Sequence, residues 1–180
     1  VAGTGKFGFS GDGGPAVAAQ LGLGFDYFNN LCNSSASVLA VDSSDTLYIA
    51  DILNSRVRKV DNNGLITTVA ESYTESCGNQ GAMYSVAVDG RGTLYFADNS
   101  NRISRITPDG LVGVVAGSGD FGLAADGVAA LQAPFQLAYD ITFDRAGNLL
   151  VVDNSHRLLR VNNARIAGYI DGFVQRGSSP

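Results

Sequence analysis

Tryptophan is absent, and histidine and methionine occur once each in 180 residues. A single histidine cannot build a metal site held by several histidines. Basic residues are outnumbered, 12 Lys and Arg against 17 Asp and Glu, for a net charge of −5. A chain of that sign lacks the basic surplus that neutralises phosphates, so nucleic acid is not expected as a partner. Long apolar runs are missing too. None approaches the roughly 20 residues that span a bilayer, so no transmembrane segment is expected. There is no initiator Met and no basic-then-apolar leader, as in a processed or excised chain. Charged residues are scarce at 16%, whereas hydrophobic residues reach 45% and glycine numbers 23. That balance argues for one ordered domain with a real core and many tight turns.

What is present is a threefold internal repeat. Val41-Asp42 aligns with Val88-Asp89 and with Phe143-Asp144. Each Asp precedes a turn and then an apolar run, at residues 46–51, 93–98 and 148–153. Each run leads into a basic strand, at 56–60, 102–106 and 157–161. Asp42 to Asp89 is 47 residues and Asp89 to Asp144 is 55. A period of that size in β-rich sequence predicts propeller blades.

Each repeat reads as four short strands. The second is apolar on both faces, Leu47 and Ile49 on one side and Tyr48 and Ala50 on the other. Double burial of this kind is expected where a sheet is sandwiched between neighbours. The third strand mixes Arg, Lys and Ser, which places it nearer the rim. Asn63-Gly64 and Asp109-Gly110 are hairpin signals before the fourth strands. In the third repeat, counting from the Asp puts Ile170 where Val69 and Val115 fall; the rival register, with Ile166-Ala167-Gly168 there, stays open. The fold class expected is all-β, a propeller of four-stranded antiparallel blades with three present as an open arc. Its parts are the end of a preceding blade plus a connector (1–37), blade 1 (38–70), a connector (71–85), blade 2 (86–116), a connector (117–139), blade 3 (140–172) and the start of another connector (173–180). Repeat cores of constant length with elastic connectors suggest that insertions are confined to one set of loops. The longest connectors, 3–37 and 117–139, should decorate one face, and function is expected there.

These pieces resemble the NHL-repeat family. The matching elements are Val-Asp, then Thr-Leu-Tyr-Ile/Phe-Ala-Asp at 46–51 and 93–98, the Asn and Arg that follow, and Val-Ala-Gly at 1–3 and, as Val115-Ala116-Gly117, after blade 2. The loop from Gly8 to Ala16, with Ala19-Gln20-Leu21, looks like the linker of secreted multi-repeat members. The resemblance implies a propeller, usually six-bladed, used mostly for binding. His156 stands where Asn54 and Asn101 occur in the other repeats, and connector two reads Ala124-Ala125-Asp126-Gly127 in place of Ser10-Gly11-Asp12-Gly13.

Several constellations invite chemistry. Residues 3–8 and 117–122 both match GxGxxG. A pyrophosphate site needs a following helix in a parallel βαβ unit, and neither site has one, so no cofactor is expected. Asp51, Asp98 and Asp153 each precede an arginine, Arg56, Arg102 and Arg157, by four or five residues. Recurrence once per blade reads as turn capping with an Asp–Arg contact, not as catalysis or metal binding. Asp153, Ser155 and His156 are too close in sequence for a nucleophile–base–orienter relay. Asp12, Asp120 and Asp126 lack the alternating spacing of calcium ligands and read as turn formers. Phe7, Phe9, Phe25, Tyr27 and Phe28 crowd connector one; they are either protein-binding anchors or pins that hold the loop to the propeller face. Cys32 and Cys77 are compatible with one disulfide or with two free thiols. Asn33-Ser34-Ser35 is a glycosylation sequon.

The function expected is non-catalytic: a protein-binding or structural module in a larger, extracellular or cell-surface assembly. Its partners would be the rest of a longer parent chain or copies of it. The alternatives are part of a secreted propeller lyase or hydrolase whose catalytic residues lie in other blades, and an RNA-binding propeller, which the acidic balance disfavours.

Overall fold

The computed structural model describes residues 1–23, 39–71, 83–98, 100–162 and 173–176, with the backbone alone at Met83 and at 173–176. The strands are β1 Leu39–Val41, β2 Leu47–Asp51, β3 Arg56–Val60, β4 Ile66–Glu71, β5 Met83–Val88, β6 Leu94–Asp98, β7 Ile103–Ile106, β8 Val112–Ala116, β9 Ala138–Phe143, β10 Leu149–Asp153, β11 Arg157–Asn162 and β12 Phe173–Arg176. They form three separate four-stranded antiparallel sheets, each a simple meander: β1-β2-β3-β4, β5-β6-β7-β8 and β9-β10-β11-β12. The sheets lie side by side as blades of an open arc.

One turn chemistry starts every blade. Asp42 Oδ1 accepts the amides of Ser44 and Thr46, both at 2.9 Å. Asp89 repeats this with Arg91 and Thr93, and Asp144 with Ala146 and Asn148. A left-handed residue closes each turn, Gly92 and Gly147 in blades 2 and 3 but Asp45 (φ 60°) in blade 1. For Asp42, burial opposes ionisation, but the amides of Thr46 and Ser44 outweigh it and hold the carboxyl below its ordinary range. Asp144 is held low chiefly by the Asn148 side chain. Asp61, in the β3–β4 turn, is held low chiefly by the Leu65 amide.

Packing follows from the period-2 alternation of strands. One face of each blade carries Tyr48, Ala50 and Val57, then Tyr95, Ala97 and Ile103, then Leu150, Val152 and Leu158. Cross-strand pairing is the same in each: Ala50 with Val57, Ala97 with Ile103, Val152 with Leu158. In blades 1 and 2 the next sheet covers this face, and Val57 and Ile103 are 0% exposed. In blade 3 no further sheet covers this face among the described residues, and Val152 and Leu158 are 42% and 57% exposed. On the opposite face of blade 1, Ile49 is buried and Leu47 half-buried against Ala16, Ala19 and Leu21 of connector one. Connector two does the same for Leu149 and Val151 of blade 3 through Ala130, Ala133 and Phe135. Between the inner strands β5 and β9, the Ser85 hydroxyl donates to Asp140 Oδ1 (2.8 Å) and accepts from the Ile141 amide (3.1 Å).

The strands run further than the spacing predicts. β5 begins at Met83 and β9 at Ala138, each extended through a bulge, between Met83 and Ser85 and opposite Val152/Asp153. The closing strand of blade 3 is Phe173–Arg176, in a segment expected to open the next connector, and Phe173 pairs with Asn162. Ile166, Ala167 and Ile170 lie outside the described residues.

Candidate functional site

The connectors are the elaborated part of the molecule, and arginines of the third strands dock them. In blade 1 this is Arg58, which also takes the Asp51 side-chain contact expected of Arg56. Arg58 is fully buried. Its Nη1 donates to Asp51 Oδ2 (3.2 Å), and its Nη2 to Asp12 Oδ1 (2.8 Å) and to the Ser10 carbonyl (3.0 Å). The Phe9 ring stacks on both guanidiniums, 4.1 Å from Arg56 Cζ and 4.8 Å from Arg58 Cζ. The other oxygen of Asp51 accepts the Gly22 amide (2.5 Å) and Asn54 Nδ2 (2.8 Å). Asn54 Nδ2 also reaches the Gly8 carbonyl (2.8 Å). Both ends of the loop are thereby fixed to one buried carboxylate–guanidinium pair. β3 lies next to the outer strand of its blade, as its mixed polarity predicts, and a loop from far upstream supplies the partners that let Arg58 be buried.

The Asp–Arg pairs take three forms. Arg56 faces Asp51 in register but pairs with Glu71 (3.1 Å) and the Asn54 carbonyl (2.7 Å). Arg102 extends to the Ser118 carbonyl of connector two (2.9 Å), while Asp98 Oδ1 accepts the Ser100 amide (2.9 Å). Arg157 pairs with Asp153 directly through Nε and Nη2, and its Nη1 donates to the Ala124 carbonyl (3.0 Å).

The same loop path recurs 114 residues apart. Gly3 and Thr4 donate to the carbonyls of Ala16 and Ala19, and Gly117 and Ser118 donate to those of Ala130 and Ala133. Short 3-10 turns, Ala16–Ala18 and Ala130–Gln132, follow in each loop. Neither is a helix able to hold a phosphate at its N-terminus. This path presents Phe7 and Phe121 at equivalent positions, 70% and 67% exposed. A cavity of about 330 Å³ lies beside Phe7, lined by Ala2, Gly3, Gly5, Lys6, Leu21 and Leu23. Phe9 lies against the two arginines and is itself exposed. Phe25, Tyr27, Phe28, Cys32, Asn33 and Cys77 lie outside the described residues.

The polar groups that gather here are spent on structure. The Ser155 hydroxyl donates to Asp153 Oδ1 (2.5 Å) and accepts from Arg157 Nε (2.6 Å), while exposed His156 joins the turn through its amide, bonded to the Asp153 carbonyl (3.2 Å). Asp120 receives the Ser118 hydroxyl (3.1 Å). Among the described residues, no three His, Cys, Asp or Glu side chains converge as a metal site. Sequence reasoning missed Arg58, Asn54 and Phe121. Phe121 was within reach, because the duplicated Gly pattern aligns it with Phe7.

No protein-family model matches the sequence, and no curated protein is similar to it. Solved structures are similar in fold. One is a protein of unknown function from Bacteroides thetaiotaomicron, with TM-score 0.60 and 23% identity over 81% of this chain and 35% of that one. Another is a gluconolactonase from Xanthomonas campestris, with TM-score 0.54 and 16% identity over 79% of this chain and 47% of that one. A third is virginiamycin B lyase from Staphylococcus aureus, with TM-score 0.54 and 19% identity over 84% of this chain and 44% of that one. The chain thus spans between a third and a half of the length of these neighbours. The likeness is one of fold: an arc of β-propeller blades.

Proposed function

We propose that this chain is an NHL-type propeller arc that acts as a non-catalytic protein-binding or structural module, with the connector face as its contact surface. The observation that carries this is the pair Phe7 and Phe121. Two large aromatics sit exposed at the same place on the two longest loops, and each loop is held by arginine contacts that leave its tip free. Rigid aromatic anchors on a pre-organised loop are what protein recognition favours. The saturation of Asp51, Asp153 and Ser155 by neighbouring groups supports a structural role for them. An extracellular or cell-surface setting remains part of the proposal, resting on the loop resemblance and the sequon at Asn33. The likeness to a gluconolactonase and a lyase favours a second reading, a propeller enzyme completed by other blades.

The test is site-directed photo-crosslinking in native extract, with the reactive residue placed at 7, at 121 or at the exposed turn residue Asp45. Adducts to one common protein from 7 and 121, and none from 45, support the binding surface. Absence of protein adducts from both loop positions, with turnover of a lactone by this arc joined to the blades that complete it, overturns it in favour of the enzyme.

A further inference from the structure

Between blades 1 and 2 the rim of the arc carries a groove of about 410 Å³. One wall is the outer strand of blade 1, with Thr68, Val69, Ala70 and Glu71; the other is Phe96, Ile106 and Val112 of blade 2. The Thr68 hydroxyl is buried with no hydrogen-bond partner among the described residues.

The molecule shows what such a groove is built to hold. Phe96, Ile106 and Val112 occupy the places of Ile49, Val60 and Ile66 in blade 1, since Leu47–Val60 and Leu94–Ile106, then Val60–Ile66 and Ile106–Val112, are matching cross-strand pairs. In blade 1 these side chains form one cluster with Ala16, Ala19 and Leu21. In blade 3 the corresponding Val151 and Val161 cluster with Ala130, Ala133 and Phe135. Both loops therefore seat the same pattern, Ala-x-x-Ala-x-Leu or Phe. Just before it, connector one caps the free edge of β4. Gly13 donates to the Ile66 carbonyl (2.8 Å), Ile66 donates to the Gly14 carbonyl (3.0 Å), and Ala16 donates to the Gly64 carbonyl (2.8 Å). Pro15, which has no N–H, bridges Leu65. The effect on exposure is large: Ile66 is 0% exposed, whereas Val112 at the same place in blade 2 is 71% exposed. Residues 72–82, which precede blade 2, contain neither Gly-Gly-Pro nor Ala-x-x-Ala.

We propose that the blade 1–blade 2 rim is a peptide-binding groove. Its occupant is a partner's segment of the form Gly-Gly-Pro-Ala-x-x-Ala-x-Leu, which adds as a short strand to the outer edge of β8 and turns its alanines into the groove. Strand addition supplies affinity through backbone bonds, and the shallow seat supplies specificity by admitting only small side chains at the two alanine positions. Among the described residues the segment in connector one is already seated on blade 1, and its Ala-x-x-Ala counterpart in connector two on blade 3, so the occupant proposed is a partner's segment. This gives the binding reading above a partner of stated chemistry, at a surface separate from Phe7 and Phe121.

The probe is a synthetic peptide with the sequence of residues 12–21, titrated into the isotope-labelled full chain. Saturable shifts at Val112, Thr68 and Phe96 are expected, with slowed exchange of the Val112 amide. Val112→Pro removes the outward N–H and should weaken binding about tenfold, the scale of one backbone hydrogen bond. Val112→Lys, which keeps the N–H and is milder for folding, should weaken it through the lost apolar contact. A peptide with Asp in place of Ala16 and Ala19 should not bind. Phe121→Ser should leave the affinity unchanged, which separates this site from the connector face. The proposal is overturned if the Val112 amide of the chain alone is already as protected as that of Ile66. Equal binding of the Asp-substituted peptide, or an unchanged affinity in Val112→Lys, overturns it as well.

Discussion

Connector one and connector two follow one path over their blades but are anchored by different residues. In the first, Arg58 ties the Ser10 carbonyl to Asp51. In the second, Arg157 ties the Ala124 carbonyl to Asp153, and the residue in the place of Arg58 is the buried Leu159. The arginine has moved two positions along the strand, yet its two contacts are kept. The constraint therefore lies on the docked loop and the carboxylate, and the strand position that delivers the guanidinium is free to change.

The sharpest way to break this comparison is Arg58→Leu, which copies Leu159 into blade 1. It leaves Asp51 buried beside amides but without a cation, and should cost about 3–5 kcal/mol. Urea unfolding followed by tyrosine fluorescence measures it; a loss under about 1 kcal/mol would mean that Arg58 does not hold the loop. Adding Asp51→Asn to Arg58→Leu should recover part of the loss, because the stranded charge is gone.

The next test sets the two kinds of blade face against each other. Ile103→Ala opens a cavity between blades 2 and 3 and should cost about 3 kcal/mol. Leu158→Ala, at the same place on the uncovered face of blade 3, should stay within about 0.5–1 kcal/mol. Equal losses would mean that this face is covered in solution.

Gly117 and Gly3 make a smaller contrast. A Cβ at Gly117 meets the Asn101 carbonyl oxygen at 2.2 Å, whereas at Gly3 it meets only Leu21 Cδ1 at 3.4 Å. Both have positive φ. Gly117→Ala should cost roughly 2–3 kcal/mol in the same unfolding assay and Gly3→Ala nearer 1 kcal/mol.

The smallest effects are on pH dependence. Asp42, Asp61 and Asp144 have carboxyls held below the ordinary 3.8. Their contribution is present above that value and is lost as pH falls through the lower folded values. Tyr95 goes the other way: burial, then Asp89, raises its pKa to about 12 from 10. Its contribution is full below pH 10 and is lost as pH rises towards 12. Urea midpoints should fall at both extremes, and Tyr95→Phe should flatten the alkaline limb.

The blades were legible because each repeat states them with the same few residues. Asp42, Asp89 and Asp144 close their turns through local amides, and double-sided apolar runs such as residues 47–50 leave little choice of partner. The connectors were less legible. Asp51 was legible as a turn former, but its cation was assigned to the nearest arginine, and no local rule says that Arg58 outranks Arg56. Partners that arrive from Ser10 and Asp12 are invisible to any reading confined to a hairpin. The capped edge of β4 and the bare edge of β8 escaped for the same reason, since strands with similar sequences differ only in what an upstream loop lays beside them.

The buried guanidinium of Arg58 also orders events in time. The meander of blade 1 closes through short loops, whereas the partners of Arg58 at Asp12 and Ser10 lie 46 and 48 residues upstream. Closing that span is entropically slower than zipping a hairpin, so the charge waits in water until the sheet exists and the loop lands on it. Docking of connector one is then a late step in assembly and an early one in local opening, and the Gly22 amide, bonded to Asp51, is its reporter in hydrogen exchange.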